Sequence, residues 1–391
     1  MRIAERLRRE LAELERESQL RSLETSHALD FSSNDYLGLA SDARIKQAVA
    51  AALASPELAA STGSRLLSGN SERWIALESD FARFAGTEAA LYFTSGYLAN
   101  VGLLASLLGP EDIVFSDSAN HASLIDGMRL AKARRVIFPH LDLEFLENAL
   151  RAAPAAAARF IVVESLFSME GDLAPLAELA NLAERYDAEL IVDEAHAVGV
   201  FGPQGRGLVA EAGLAGRVLA SIFTCGKALA SSGAFVCGSE TLRSFLINRA
   251  RTFIFSTALP PYFAEHVRAG VELASRADAQ RVRVISLAHF LRAELRRHGL
   301  DVAAGSSPIV PVILGDNERA MRVAQRLRGA GFGVRAIRPP TVPQGTARLR
   351  LSITARHTES VLGELAAAIA SAASQSSRAA SATPAANRAA P

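Results

Sequence analysis

Seven short apolar runs recur between residues 89 and 237: 89–93, 113–116, 135–138, 160–164, 190–193, 219–223 and 234–237. Runs of this length, bounded by turn formers, read as strands buried on both faces. The stretches between most of them carry helical spacing. Strand and helix in alternation predict an α/β fold with a mostly parallel sheet and helices on both faces. The pattern changes after the punctuated turn Phe255-Ser256-Thr257-Ala258-Leu259-Pro260-Pro261. A long helical stretch over 262–298 leads out of this part. Strand-like runs at 309–314, 334–337 and 347–353 and helices over 317–330 and 359–372 then predict a smaller α+β domain. The expected organisation is residues 1–43 as an N-terminal helix and loop joining the small domain, 44–265 as the large domain, and 266–370 as the small domain. Residues 371–391, rich in Ala, Ser and Pro without a periodic apolar face, read as a disordered tail.

The chain has 391 residues, 49% of them hydrophobic, which is ample for a large core and more than one domain. A formal net charge of +1 argues against nucleic acid or an acidic membrane surface as partner. The arginines of the first 21 residues are interleaved with Glu5, Glu10, Glu13, Glu15 and Glu17, which reads as a solvated helix. The two cysteines, Cys225 and Cys237, imply no disulfide framework. They have no metal-ligand spacing with histidine, so they read as packing residues and no metal is expected. No signal-peptide core is visible at the N-terminus. The uncharged run 89–110 is long enough to span a membrane, but Thr94, Ser95, Gly96, Asn100, Gly102, Ser106 and Gly109 break it into strand, turn and helix. A cytoplasmic protein is expected.

Two of the apolar runs end in a pattern that carries chemistry. Ile191-Val192-Asp193-Glu194-Ala195-His196 closes one and Phe223-Thr224-Cys225-Gly226-Lys227 the next. In open α/β sheets the carboxyl ends of strands form the ligand edge. Either segment alone has a plain reading: the Asp caps a helix and the Lys is a solvated charge. Together they place an acid, an imidazole, a hydroxyl and an amine at one edge. That set suits pyridoxal phosphate (PLP): the amine forms a Schiff base, the acid keeps the pyridine nitrogen protonated, and the hydroxyl meets the phosphate. Thr94-Ser95-Gly96-Tyr97 follows another strand and opens a helix, whose first N–H groups can hold a phosphate. Ser256 and Thr257 are further phosphate candidates. His121, in a segment after the second strand, can lie flat on the cofactor ring. Ser168 can donate to the ring oxygen. Gly171 and Asp172 read as turn chemistry.

These residues resemble the α-oxoamine synthases, PLP enzymes of the aspartate aminotransferase fold (fold type I). The segments that carry the resemblance are FSSNDYLGL (31–39), GSRLLSGN (63–70), TSGYLAN (94–100), DEAHAVGVFGPQGRG (193–207), TCGKA (224–228) and RPPTVPQGTARLRLSIT (338–354). It runs from about Arg21 to Leu365. The resemblance implies Lys227 as the Schiff-base lysine, Asp193 on the pyridine nitrogen and His121 stacked on the ring. It implies cofactor contacts from Gly96, Tyr97, Ser168, His196 and Thr224. Arg350, aided by Asn34, is implied to grip the amino acid's carboxylate. Thr341 is implied beside the acyl substrate and Arg21 near its chain, with only 22–30 between Arg21 and Phe31 where the family usually has more. The implied reaction condenses L-alanine with a pimeloyl thioester of CoA or an acyl-carrier protein, releasing carbon dioxide, in biotin biosynthesis. The alternative is a glycine-using member such as glycine C-acetyltransferase or 5-aminolevulinate synthase. The family also implies a homodimer with the site at the interface, Ser256 and Thr257 reaching the neighbour's phosphate.

Overall fold

In the computed structural model, residues 2–23, 25 and 28–381 are described, with side chains to 375. They fall into two compact units. The larger holds residues 34–168 and 172–283, and the smaller gathers the N-terminal 33 residues, 169–171 and the chain from 284 onward.

The larger unit is built on seven strands: β1 (Ala89–Phe93), β2 (Ile113–Asp117), β3 (Arg134–Phe138), β4 (Arg159–Glu164), β5 (Ala188–Asp193), β6 (Ala220–Thr224) and β7 (Ala234–Gly238). All seven runs read from the sequence are strands, with ends moved by no more than two residues. The sheet order is β1-β7-β6-β5-β4-β2-β3. Neighbours are parallel from β6 through β3, and β7 runs antiparallel to both β6 and β1. The apolar runs are continuous because strands covered on both sides bury both faces, as the interior β2 and β6 and the edge strand β1 do along their whole length. At the edge, β3 exposes most of its residues.

One face packs Leu91, Val114, Val162, Ile191 and Ile222 against Leu103 and Leu104 of helix α1 (Gly96–Leu107) and Leu124 and Met128 of helix α2 (Ala122–Ala131). Each such side chain contributes roughly 1.5–3 kcal/mol on burial. On the other, Phe81 stacks on Phe235 with ring centroids 3.8 Å apart. The parallel strands β2, β4, β5 and β6 end in Asp117, Glu164, Asp193 and Thr224. The core thus presents a row of polar groups at a single edge.

The unit extends beyond the expected 44–265. At the front, Tyr36 and Leu37 are buried in it. At the back, the helix Tyr262–Ser275 packs against Ala43–Leu53. The predicted helix over 262–298 is two helices, Tyr262–Ser275 and Asp278–Arg297. At the break the Arg281 guanidinium donates to the carbonyls of Ala274 and Ser275 at the end of the first helix.

The smaller unit contains an antiparallel sheet of β8 (Ile309–Gly315), β9 (Arg335–Ile337) and β10 (Ala347–Ser352) in the order β9-β10-β8. Helices Asn317–Gly329 and Glu359–Ser381 pack together in it. The last helix corrects the expected tail from 371. Its alanine-rich sequence has high helix propensity, Ala372 and Ala373 are buried, and Arg326 donates to the Ala372 carbonyl at 3.2 Å. Residues 382–391 of that tail lie outside the described residues. The N-terminal helix Ile3–Arg16 buries none of its residues, and Ile3, Leu7, Leu11 and Leu14 form an exposed stripe along it. Among the described residues, no helix is long and apolar enough to cross a membrane.

Candidate active site

The polar strand ends of the larger unit open onto a cavity of about 290 Å³. Asn34, Gly96, Tyr97, His121, Asp193, His196, Thr224 and Lys227 all line it. The sheet gathers residues that lie far apart in sequence. Asp193 ends β5, Thr224 ends the adjacent β6, and Lys227 follows one turn later, its Nζ 3.5 Å from Thr224 Oγ1. Gly96 begins α1 so close to β6 that a Cβ there would meet Thr224 Cγ2 at 2.6 Å. Only glycine lets the helix start, with its open N–H groups, reach this strand end.

Asp193 is buried and held from two directions. Its Oδ1 accepts the Ala195 N–H at 2.9 Å, and its Oδ2 accepts Asn100 Nδ2 at 2.7 Å. Asn100 is fixed in turn by Ser123 Oγ at 2.9 Å. His121 caps α2, and its Nδ1 accepts the Ser123 N–H at 3.2 Å. That bond puts the proton of the neutral ring on Nε2. Desolvation holds the His121 pKa below the usual imidazole range, against the pull of the Asp193 charge and with help from Lys227. A neutral ring at this place is suited to stacking. His196 is buried with Nδ1 2.7 Å from Tyr36 Oη, which also bonds Asn34 Oδ1 at 3.2 Å.

The other sequence candidates lie elsewhere. Ser168 is buried, its N–H donating to Glu164 Oε2 at 3.1 Å, and it is not in the cavity lining. Thr257 pairs with Ser64 in an isolated bridge, and both Ser256 and Thr257 border a separate small cavity with Arg65, Trp74 and Thr94. Arg21, Thr341 and Arg350 belong to the smaller unit. There Arg21 Nη2 donates to Thr341 Oγ1 at 3.5 Å. Arg350 is buried on β10 and donates to Ser352 Oγ at 2.7 Å.

Three residues of this region escaped the sequence reading as site residues. Asn100 sits in the quoted TSGYLAN segment, Tyr36 in the quoted FSSNDYLGL segment, and Glu164 closes the apolar run 160–164. The available signal was position. Asn100 lies one helical turn beyond Gly96–Tyr97, and Glu164 ends a strand as Asp193 does.

This chemistry fits PLP. The cavity has an amine for an aldehyde, an anchored carboxylate for a basic ring nitrogen and a helix start for a phosphate. Glu164 Oε1 and Asn100 Oδ1 are buried with no hydrogen-bond partner in the protein, so this region has polar capacity left for a ligand. Among the described residues no His, Cys, Asp and Glu group is arranged to hold a metal ion.

The comparisons with known proteins agree. The family model for aminotransferase class I and II matches residues 26–369, and the chain belongs to that family. It is 45% identical over 365 residues to the 8-amino-7-oxononanoate synthase of Trichlorobacter lovleyi, covering 93% of each chain. Within the broader family it therefore belongs with the 8-amino-7-oxononanoate synthases. Among solved structures, it is similar to a serine palmitoyltransferase variant from S. paucimobilis with bound PLP-myriocin. The TM-score is 0.89 at 29% identity, over 97% of this chain and 100% of that one. It is also similar to the 8-amino-7-oxononanoate synthase of Francisella tularensis, with a TM-score of 0.77 at 28% identity over 89% and 98%.

Proposed function

We propose that this enzyme, a PLP-dependent acyltransferase, condenses L-alanine with a pimeloyl thioester to 8-amino-7-oxononanoate, with loss of carbon dioxide, in the biotin biosynthesis of the cytoplasm. The observation that carries the reading is the convergence of Lys227, Asp193 and a neutral His121 on one cavity. When bound, PLP supplies an electron sink for the α-carbon of the amino acid. The protein's part is to hold and move protons and to orient. Lys227 would hold the cofactor's aldehyde carbon through its amine and would serve as the base for the α-proton. Asp193 keeps a proton on the ring nitrogen. His121 would stack on the ring, His196 would serve its oxygen, and Ser168, whose N–H donates to the cavity-lining Glu164, would back it. Gly96, Tyr97 and Thr224 hold the phosphate side.

The resemblance gives Arg350 and Asn34 to the amino acid's carboxylate and Arg21 and Thr341 to the acyl end. The Arg21–Thr341 hydrogen bond supports giving that last pair one task. The 45% identity to an 8-amino-7-oxononanoate synthase favours this reading over the serine palmitoyltransferase likeness at 29%. It also favours it over a glycine-using synthase, for which no feature of the site speaks. Thiol release with DTNB and product mass spectra, using alanine or glycine with pimeloyl and acetyl thioesters, test it. One methyl is worth ~1–3 kcal/mol in a pocket, so alanine should be preferred by tens to hundreds of fold. A better rate with glycine and acetyl-CoA would replace this function with the alternative.

The working form is a homodimer, with Ser256 and Thr257 turned to the partner's phosphate. Its support is apolar surface left open near that turn: Leu66, Leu67 and Phe255 are 49%, 83% and 70% exposed. Sedimentation of a fully active monomer at nanomolar protein would contradict it.

A further inference from the structure

Glu164 has no part in the function described so far. It ends β4 directly beside Asp193 of β5, in register with it, and lines the same cavity. The side chain is 2% exposed. Its Oε2 accepts the Ser168 N–H at 3.1 Å, the His121 N–H also acts on the carboxyl, and Oε1 is buried with no hydrogen-bond partner of its own. A buried carboxylate oxygen left in this state is costly. A second full negative charge next to Asp193 adds to that cost, because neighbouring carboxylates do not both ionise readily. Burial, reinforced by the Asp193 charge, pushes the Glu164 pKa well above the usual carboxylate range, against the opposing pull of Lys227 and of the backbone N–H groups of His121 and Ser168.

We propose that Glu164 is a further residue of the cofactor site, entering it as a neutral carboxylic acid that donates a hydrogen bond from Oε1 to an acceptor atom of bound PLP. The arrangement meets each constraint at once. Oε2 keeps its bond from Ser168, the proton on Oε1 turns an unmet acceptor into a donor facing the cavity, and Asp193 remains the one anion reserved for the ring nitrogen. A carboxylate in place of this acid would repel the electron-rich oxygens of the cofactor; a neutral donor binds them.

The inference rests on the PLP reading, and its test separates the two. Full-length holoenzyme is diluted into a PLP trap, and loss of the visible absorbance gives the rate of cofactor release for wild type, Glu164→Gln and Glu164→Met. Glutamine keeps the shape and a donor without ionising; methionine keeps the volume and loses the donor. Release from Glu164→Gln is expected within about twofold of wild type, and from Glu164→Met roughly tenfold faster, the scale of one hydrogen bond. Equal acceleration in both variants would overturn the proposal, because Glu164 would then act as an anion. Release from Glu164→Met at the wild-type rate would overturn it as well, since no bond to the cofactor would exist. Should Glu164→Met fail to fold, Glu164→Leu, which also lacks the donor, takes its place, and a tenfold faster release from Glu164→Gln by itself refutes the neutral acid. A wild type that takes up no PLP would sink the cofactor reading itself, and this inference with it.

Discussion

Two histidines follow adjacent strands of the larger sheet, and their surroundings drive them in opposite directions. His121, after β2, lines the cavity and is held neutral by desolvation. His140, after β3, lies between two carboxylates, with Nδ1 2.9 Å from Asp117 Oδ1 and Nε2 2.9 Å from Asp172 Oδ2. Burial works against its charge as well. The hydrogen bonds to Asp117 and Asp172 outweigh it and raise the His140 pKa to about 10. Asp117 is itself engaged by the N–H groups of Ala119 and Leu141. Around His140, both ring nitrogens are used within the protein, and Asp172 Oδ1 is buried beside them without a partner. Around His121, Nδ1 is used and bonding capacity is left over nearby, on Glu164 Oε1 and Asn100 Oδ1. Both regions are equally polar in sequence. The two rings differ in what claims them: His140 is spent on two carboxylates of the protein, whereas His121 lines a cavity beside unspent acceptor atoms.

The comparison breaks most visibly at Lys227. If the cavity is the reactive region, Lys227→Ala should cut turnover by roughly a thousandfold or more, about 4 kcal/mol at ~1.4 kcal/mol per tenfold. The visible band of the bound cofactor should vanish with the amine, and the melting temperature of the protein should hold. Normal thiol release by this variant would remove the cavity from the chemistry.

A smaller loss is expected one step further from the reacting atoms. Asn100→Ala takes away the 2.7 Å hydrogen bond to Asp193 Oδ2 and leaves the carboxylate itself. A hydrogen bond to a charged group is worth ~1.5–3 kcal/mol, so kcat should fall by roughly ten- to a hundredfold. Asp193→Asn should fall further, because an amide cannot balance a ring cation. Equal rates in Asn100→Ala and wild type would mean that the Ala195 N–H alone orients the carboxylate.

The contrast between the regions also marks what sequence discloses. Most of the seven strands were legible because they bury both faces of the sheet and are apolar along their length; the exposed edge strand β3 was legible from its short Val-Ile-Phe run. Asp193, Thr224 and Lys227 were legible because they stand just past such runs, where periodicity fails abruptly. Asn100 was not, since its amide sits inside an apolar helix and its partner is 93 residues away. Glu164 was hidden for a related reason: a carboxyl at a strand end reads as surface until the adjacent strand buries it. The break in the helix at 276 was invisible because Arg281 reaches back to the carbonyls through its side chain, which periodicity does not encode. The helix past 371 was missed by weighing the lack of an apolar face above alanine's own propensity. His140 was hidden likewise, because its partners Asp117 and Asp172 lie 23 and 32 residues away.

The smallest expected effect sharpens the comparison by pH. His140 has its pKa raised from 6.5 to about 10 in the fold, so the folded state binds the proton more tightly than the unfolded chain does. Its stabilisation is therefore complete below the imidazole's ordinary 6.5 and disappears as pH rises through about 10. His140→Asn, which cannot carry the charge or bridge both carboxylates, should melt several degrees below wild type at pH 6. One kcal/mol corresponds to ~2–4 °C in a domain of this size. The gap should shrink steadily above neutrality and be small near pH 10. Turnover at pH 7 should stay within about twofold, since no bond of His140 points into the cavity and one hydrogen bond lost there would cost about tenfold. His121→Asn should do the reverse, lowering turnover while leaving the melting curve where it is. Calorimetry across pH on both variants decides. A melting gap in His140→Asn that is constant from pH 6 to pH 10 would show that the ring contributes by shape and neutral hydrogen bonds, and the opposition between the two imidazoles would fail.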